Sequence, residues 1–147
     1  PGGDFEGIPN TADGNQEIAD AYNLDASPEY VVWKTSVSLD ETGMALDGSN
    51  VADITSANAE RLAVFFDVNP AGFVPERPDH RAFFDDVFSG AAGTETRANL
   101  DALWRRPATR GEELFATNSG AGTTADPDTL DFEGDLTRQD VEAARAL

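Results

Sequence analysis

From Tyr30 onward the chain alternates. Trp33, Thr35, Val37 and Leu39 fall on one face and Lys34, Ser36, Ser38 and Asp40 on the other, the period-two pattern of a half-buried strand. Asp40-Glu41-Thr42-Gly43 has turn chemistry, Met44 to Leu46 can return, and Asp47-Gly48-Ser49-Asn50 can turn again before Val51 to Ile54. This stretch therefore predicts a meander of short strands. Arg61 to Val68 is apolar on both faces and predicts a central strand covered on each side, stopped by Asn69-Pro70-Ala71-Gly72. After Pro75 and Pro78 the spacing becomes helical: Phe83, Phe84, Val87 and Phe88 form one stripe, with Asp79 to cap and Gly90 to close. A second helix, capped by Thr94 or Thr96, buries Leu100, Leu103 and Trp104 and ends before Pro107. Strand-like text returns at Glu112 to Asn118 and at Thr129 to Phe132, on either side of the Gly/Thr/Ala-rich run Ser119 to Ala125. Thr137 to Leu147 predicts a capped helix with Asp140 at the third position and Val141, Ala144 and Leu147 aligned.

Residues 1–28 differ in kind. Gly2, Gly3, Gly7, Pro9, Gly14 and Pro28 are set among acids and amides, with one short helical candidate from Gln16 to Tyr22. The expectation is an extended N-terminal arm, residues 1–28, followed by a single globular domain, residues 29–147. Long helical crossovers are missing between most strand pairs, so antiparallel pairing is favoured. The fold class expected is α+β, a mainly antiparallel β-sandwich-like core with two or three short helices and the extended arm. Phe5, Ile8, Ile18, Tyr22 and Leu24 give the arm spaced apolar groups from which a free tail gains little. The expected partner is protein: a homo-oligomer or larger assembly held through residues 1–28 and the C-terminal helix.

Charge then narrows the classes. The chain carries 28 acidic and 10 basic residues, a net −18, and its pI is near 4.1. Such a surface repels duplex DNA and anionic membranes, so neither nucleic acid nor membrane insertion is expected. Lys34 is the only lysine; the other basic residues are arginines. That composition resembles haloarchaeal proteins, for which molar salt screens repulsion to a Debye length of about 3 Å. Folding is accordingly expected to need salt of order 1 M. The longest apolar run, Leu62 to Phe66, is far short of the ~18–20 residues that span a bilayer. Pro1 is followed by no charged and apolar leader pattern, so the expected location is a virion or the cytoplasm of a halophile.

Candidate chemistry is sparse. The absence of cysteine removes disulfides, thiolate metal sites and cysteine nucleophiles. His80, the only histidine, has no nucleophile or co-ligand at recognisable spacing and reads as a surface or capping residue. No serine stands in a Gly-x-Ser-x-Gly elbow, and no phosphate-cradling glycine loop occurs. Acidic pairs such as Asp85-Asp86 are expected by chance among so many carboxylates, so no catalytic residue is assigned and the protein is expected not to be an enzyme. One acidic stretch has shape as well as charge. Aligned on Gly134, residues 126–140 resemble an EF-hand or dockerin calcium loop, which implies Asp131, Glu133 and Asp135 as oxygen donors, Leu136 as the apolar pin and Asp140 closing the loop. Its opening position is Thr129, and the nearest carboxylate, Asp128, requires one extra residue. Asp128, Asp131, Glu133, Asp135 and Asp140 are thus the candidate metal ligands, with calcium bound weakly or not at all. No other cofactor is expected. Arg110 to Asn118 resembles the approach to a c-type haem site, but Ser119-Gly120-Ala121-Gly122 has neither the cysteines nor the histidine.

Two longer stretches point another way. Ile54 to Asn69, with Ala57-Asn58, Arg61 and the apolar run to Val68, together with Arg110-Gly111-Glu112-Glu113-Leu114-Phe115-Ala116-Thr117-Asn118, resemble small jelly-roll-like β-sandwich capsid and decoration proteins of virus or phage particles. The resemblance implies a non-enzymatic structural role as a capsid, decoration or connector component of a haloarchaeal virus particle. The alternative is a calcium- or ligand-binding module using the 126–140 loop.

Overall fold

Short side chains that cap helices set the architecture. Thr11, Ser38, Thr55, Thr109 and Thr137 each accept the backbone N–H three residues on, and Asp47 accepts those of Ser49 and Asn50. The computed structural model describes Phe5 and residues 7–147; residues 1–4 and 6 of the expected arm, Gly2 and Gly3 included, lie outside the described residues. Among the described residues the chain forms eight α-helices and one two-stranded sheet. The helices are α1 (Ala12–Tyr22), α2 (Leu39–Ala45), α3 (Gly48–Asp53), α4 (Ser56–Val68), α5 (Pro78–Val87), α6 (Thr94–Trp104), α7 (Arg110–Glu113) and α8 (Arg138–Ala144). The sheet pairs β1 (Val31–Trp33) with β2 (Arg105–Pro107).

The expected α+β class with an antiparallel β-sandwich-like core is therefore wrong, and the causes are local. Ser38 and Glu41 form a reciprocal capping box: Ser38 Oγ accepts from Glu41 N–H at 3.2 Å and Glu41 Oε2 accepts from Ser38 N–H at 3.0 Å. From Leu39 onward, what reads as the end of a strand, a turn and a returning strand is α2, while Trp33 at the start of the alternation ends β1. The run at 61–68 lies inside α4, where Ala57, Ala59 and Ala63 favour helix and Thr55 caps it. An apolar run covered on both faces carries no period that separates strand from helix. The two stretches that resemble β-sandwich virion proteins are α4 and the segment around α7, so the sandwich implied by that resemblance is absent. Of the expected strands, Val37 survives as an antiparallel bridge to Phe73, and Ala116 pairs with Leu130. The helices expected after Pro78, after Thr94 and after Thr137 are α5, α6 and α8.

The extended arm also needs correction. Residues 12–22 are helical, and α1 packs on α8 through Ile18, Ala19 and Val141, with Phe5, Ile8 and Tyr22 beside them. Of the apolar groups assigned to an extended arm, Phe5, Ile8, Ile18 and Tyr22 gather in this cluster with Val141 of the chain's own C-terminal helix, while Leu24 is exposed. By their internal contacts the segments divide into two compact units, residues 1–32 with 107–147 and residues 33–106.

The second unit has an aromatic core. Phe73, Phe84, Phe88, Leu100 and Trp104 are buried together with Val37, Leu62 and Val87. Phe73 stacks on Trp104 with centroids 4.5 Å apart, and Phe84 meets the edges of both rings at 5.2 and 5.7 Å. These are the offset and edge-to-face geometries that the aromatic quadrupole favours. Gly72 turns the chain into Phe73 with φ at +109°, where a Cβ would collide with the Val37 carbonyl. His80 is buried here, not at the surface. Its Nδ1 accepts from the Val74 N–H at 3.3 Å, and its ring lies 5.3 Å from Phe65 and 5.2 Å from Phe73.

Candidate functional site

An apolar groove opens in the first unit, with a volume of about 470 Å³. One wall comes from Ile18 and Tyr22 of α1, the other from Val141 and Ala144 of α8. Leu114 and Phe115, which follow α7, and Leu136, which precedes α8, close the end; Phe5 leans on Tyr22 with centroids 5.1 Å apart. Leu114 is 66% exposed and Phe115 40%, so large apolar surface faces solvent here.

Polar clips fix this apolar lining. The side-chain amide of Asn23 pairs twice with the backbone of Leu136, donating to its carbonyl at 2.9 Å and accepting from its N–H at 2.8 Å. Buried Glu112 caps α7 through the Thr109 N–H at 3.0 Å and accepts from the Gly134 N–H at 3.0 Å. Arg145, at the groove edge, donates to the carbonyls of Ile8 and Pro9 and to Asn15 Oδ1. Asp140 lies at the same edge and belongs to the α8 capping box; the hydrogen bonds from Thr137 hold its carboxyl below the usual carboxylate range. The groove is therefore apolar within, carries one acid and one arginine at its edge, and sits on ordered backbone.

The unit that bears the groove is acidic in composition. Segments 1–32 and 107–147 hold 16 of the 28 acidic residues and only three basic ones, Arg110, Arg138 and Arg145. The other unit holds the remaining 12 acids with seven of the ten basic residues. The charge that identifies this chain is thus concentrated on the half that bears the groove.

A second feature of this unit is the carboxylate of Asp128, which is fully buried. Oδ1 accepts from Ser119 N–H and Oγ, both at 2.8 Å, from Thr129 N–H at 2.8 Å, Gly120 N–H at 3.2 Å and Thr117 Oγ1 at 3.3 Å. Oδ2 accepts from Tyr30 Oη at 2.6 Å and Asn118 N–H at 3.1 Å. Burial alone raises this carboxyl, but the bonds from Tyr30, Ser119, Thr129 and Gly120 outweigh it and hold it well below the usual carboxylate range. Burial and the adjoining carboxylate push the Tyr30 hydroxyl up to about 12. Gly122, at φ +66°, packs its bare Cα against the Tyr30 ring, where any Cβ would collide. The arrangement ties the 117–129 loop to β1; with every lone-pair direction occupied, the carboxylate is a structural anchor.

The sequence-derived metal ligands separate accordingly. Asp128 is consumed by the loop and Asp140 by the α8 cap, while Asp131, Glu133 and Asp135 stand exposed along the intervening segment. Among the described residues no three His, Asp or Glu side chains gather as a metal site. The groove itself was missed. Its walls come from both ends of the sequence, and the signals that could have revealed it were the repeated Thr-x-x-Asp/Glu caps and Asn23, a polar side chain placed just past a helix. Compared with known proteins, the chain matches no family model, no curated protein and no solved structure.

Proposed function

We propose that this protein is a non-enzymatic binding and assembly protein adapted to high salt, whose groove seats a cationic, amphipathic segment of a partner protein. The observation that carries the reading is the apolar groove set in the more acidic half of the chain. An occupant of that groove needs apolar side chains for its floor, and basic residues flanking them meet the excess of acids over the rest of this unit, which is the helix-in-groove mode with basic flanks. The expected contact elements, the N-terminal segment and the last helix, remain the ones involved. A second copy of this unit is a poor occupant, because it brings the same sign of charge. At molar salt the apolar contact dominates and charge acts only at contact range, about 3 Å. The strongly shifted groups Asp128 and Tyr30 are hydrogen-bonded to each other within the loop, and His80 accepts from the Val74 N–H among aromatic rings, so these groups serve internal contacts, which supports a binding role over catalysis.

The test is fluorescence anisotropy in 1 M KCl with three synthetic 18-residue probes: an amphipathic Leu/Lys helix, its Leu/Glu counterpart and a scrambled Leu/Lys peptide. The Leu/Lys helix is expected to bind, the other two at least tenfold more weakly. Leu114→Arg, at an exposed position, and Ala144→Arg are each expected to weaken binding at least tenfold. Equal binding of the scrambled peptide, or indifference to both substitutions, would contradict the proposal.

A further inference from the structure

Helix α4 has apolar residues around most of its circumference, yet Leu62 is the only one of its thirteen residues that is buried. Val64 is 60% exposed and Val68 65%. A helix apolar over most of its circumference ordinarily has cover over that arc. Ala57, Arg61, Val64 and Val68 follow one another at intervals of four, three and four, the d–a–d–a spacing of a helix-pairing seam. Beside the seam Phe83 of α5 lies under the Arg61 guanidinium at 5.5 Å, and Arg61 is also held by Asp86 at 2.7 Å. The shallow groove along this face, about 620 Å³, is lined by one acid and one base, Glu60 and Arg61.

We infer that α4 pairs antiparallel with α4 of a second copy of this chain. Two copies at −18 each repel wherever acidic faces meet, but this face carries only Glu60 and the Arg61–Asp86 pair, a net charge of −1. The seam is also self-complementary in one register. A two-fold axis places Ala57 opposite Val68 of the other copy, small against large, and Arg61 opposite Val64, whose surface the arginine stem covers. Parallel pairing would set Arg61 against Arg61. The helix is about 20 Å long, so one helix pair with its flanking Phe83 lies at the low end of stable interface sizes. Association is therefore weak, in the micromolar range, and strengthens as salt screens the remaining acids. The pairing uses no residue that lines the partner groove, so each dimer carries two such grooves.

The experiment is sedimentation equilibrium of the whole chain at 10–200 µM in 0.5 and 3 M KCl, with far-UV circular dichroism to verify folding of each variant. A monomer–dimer equilibrium that tightens with salt is expected, and Val64→Glu and Val68→Glu, both at exposed positions, each weaken it at least tenfold. Because the chain has no cysteine, the register is read directly by oxidation of a mixture of Ala57→Cys and Val68→Cys proteins. The crossed disulfide, joining one variant to the other, is expected. Two copies of the Ala57→Cys variant do not link, because their substituted positions lie about 16 Å apart in this register. A monomer at 200 µM in 3 M KCl, a dimer indifferent to both glutamates, or a disulfide-linked pair of Ala57→Cys chains as abundant as the crossed pair would overturn the inference. Loss of peptide binding by Leu114→Arg with the dimer intact separates this result from the groove reading.

Discussion

Replacing Asp128 by asparagine keeps the side-chain shape and removes only the charge and one acceptor. With its amide oxygen in the place of Oδ1, asparagine still accepts from Ser119, Gly120 and Thr129, but as a neutral group. Its NH2 in the place of Oδ2 then meets two donors, the Tyr30 hydroxyl and the Asn118 N–H. The hydroxyl can rotate to accept; the N–H cannot. One buried donor without a partner costs about 1–3 kcal/mol, and turning charge-assisted bonds into neutral ones removes about 1 kcal/mol more for each of the strongest, so a total near 3–5 kcal/mol is expected. Tyr30→Phe, which deletes one donor and leaves the carboxylate its other partners, is expected to cost about 1–2 kcal/mol. Urea unfolding in 2 M KCl gives the energies. Amide hydrogen exchange gives the location, since the protons of Asn118, Ser119, Gly120 and Thr129 should exchange faster in Asp128→Asn than in the parent. A variant within about 0.5 kcal/mol of the parent, with those amides still protected, would refute the assignment of Asp128 as the anchor of the loop.

Four further outcomes are expected. Burial, with the Arg77 charge, depresses the pKa of His80 below its ordinary 6.5 despite the opposing Asp79; the unfolded chain then binds the proton first, so this contribution is complete above pH 6.5 and declines as pH falls below it, read as a urea midpoint lower at pH 5.5 than at pH 8 by more in the parent than in His80→Gln. The depressed Asp128 works in the same direction at lower pH: its contribution is complete above the ordinary carboxylate value and is lost as pH falls from about 4 toward the folded value, a loss absent from Asp128→Asn. Phe84→Ala, which empties the centre of the aromatic cluster, is expected to cost about 3–5 kcal/mol by urea unfolding followed through tryptophan fluorescence, both Trp33 and Trp104 lying in that unit. Dialysis from 2 M to 0.05 M KCl is expected to unfold the chain; a cooperative melt unchanged across that range would remove the high-salt reading.

Where the sequence was legible, capping or helical spacing carried the signal. Phe83, Phe84, Val87 and Phe88 repeat with the helix, and Thr137 with Asp140 announces α8. It misled where two periods fit the same residues. Trp33, Thr35, Val37 and Leu39 alternate as a strand does, but Leu39 is already the first residue of a helix whose Ser38–Glu41 box decides the matter. Arg61 to Val68 is apolar on both faces of a strand as well as around most of a helix, so its apolar pattern does not choose between them. The composition of residues 1–28 signals an arm because glycine and proline dominate it, yet Gly14 is the residue that lets α1 approach the Pro9 carbonyl and fold back. The candidate site was invisible for another reason: its walls, Ile18 and Tyr22 against Val141 and Ala144, meet only after the two ends of the chain have come together.

The groove's role as a seat for a cationic amphipathic partner is tested most directly by mapping where such a partner binds. Isotope-labelled protein in 1 M KCl, titrated with the Leu/Lys helical peptide and followed by amide chemical shifts, should show saturable changes concentrated at Ile18, Tyr22, Leu114, Phe115, Val141 and Ala144, and lose them in Leu114→Arg. Shifts spread over the acidic surface, centred on another face, or absent at saturating peptide would contradict the proposed function.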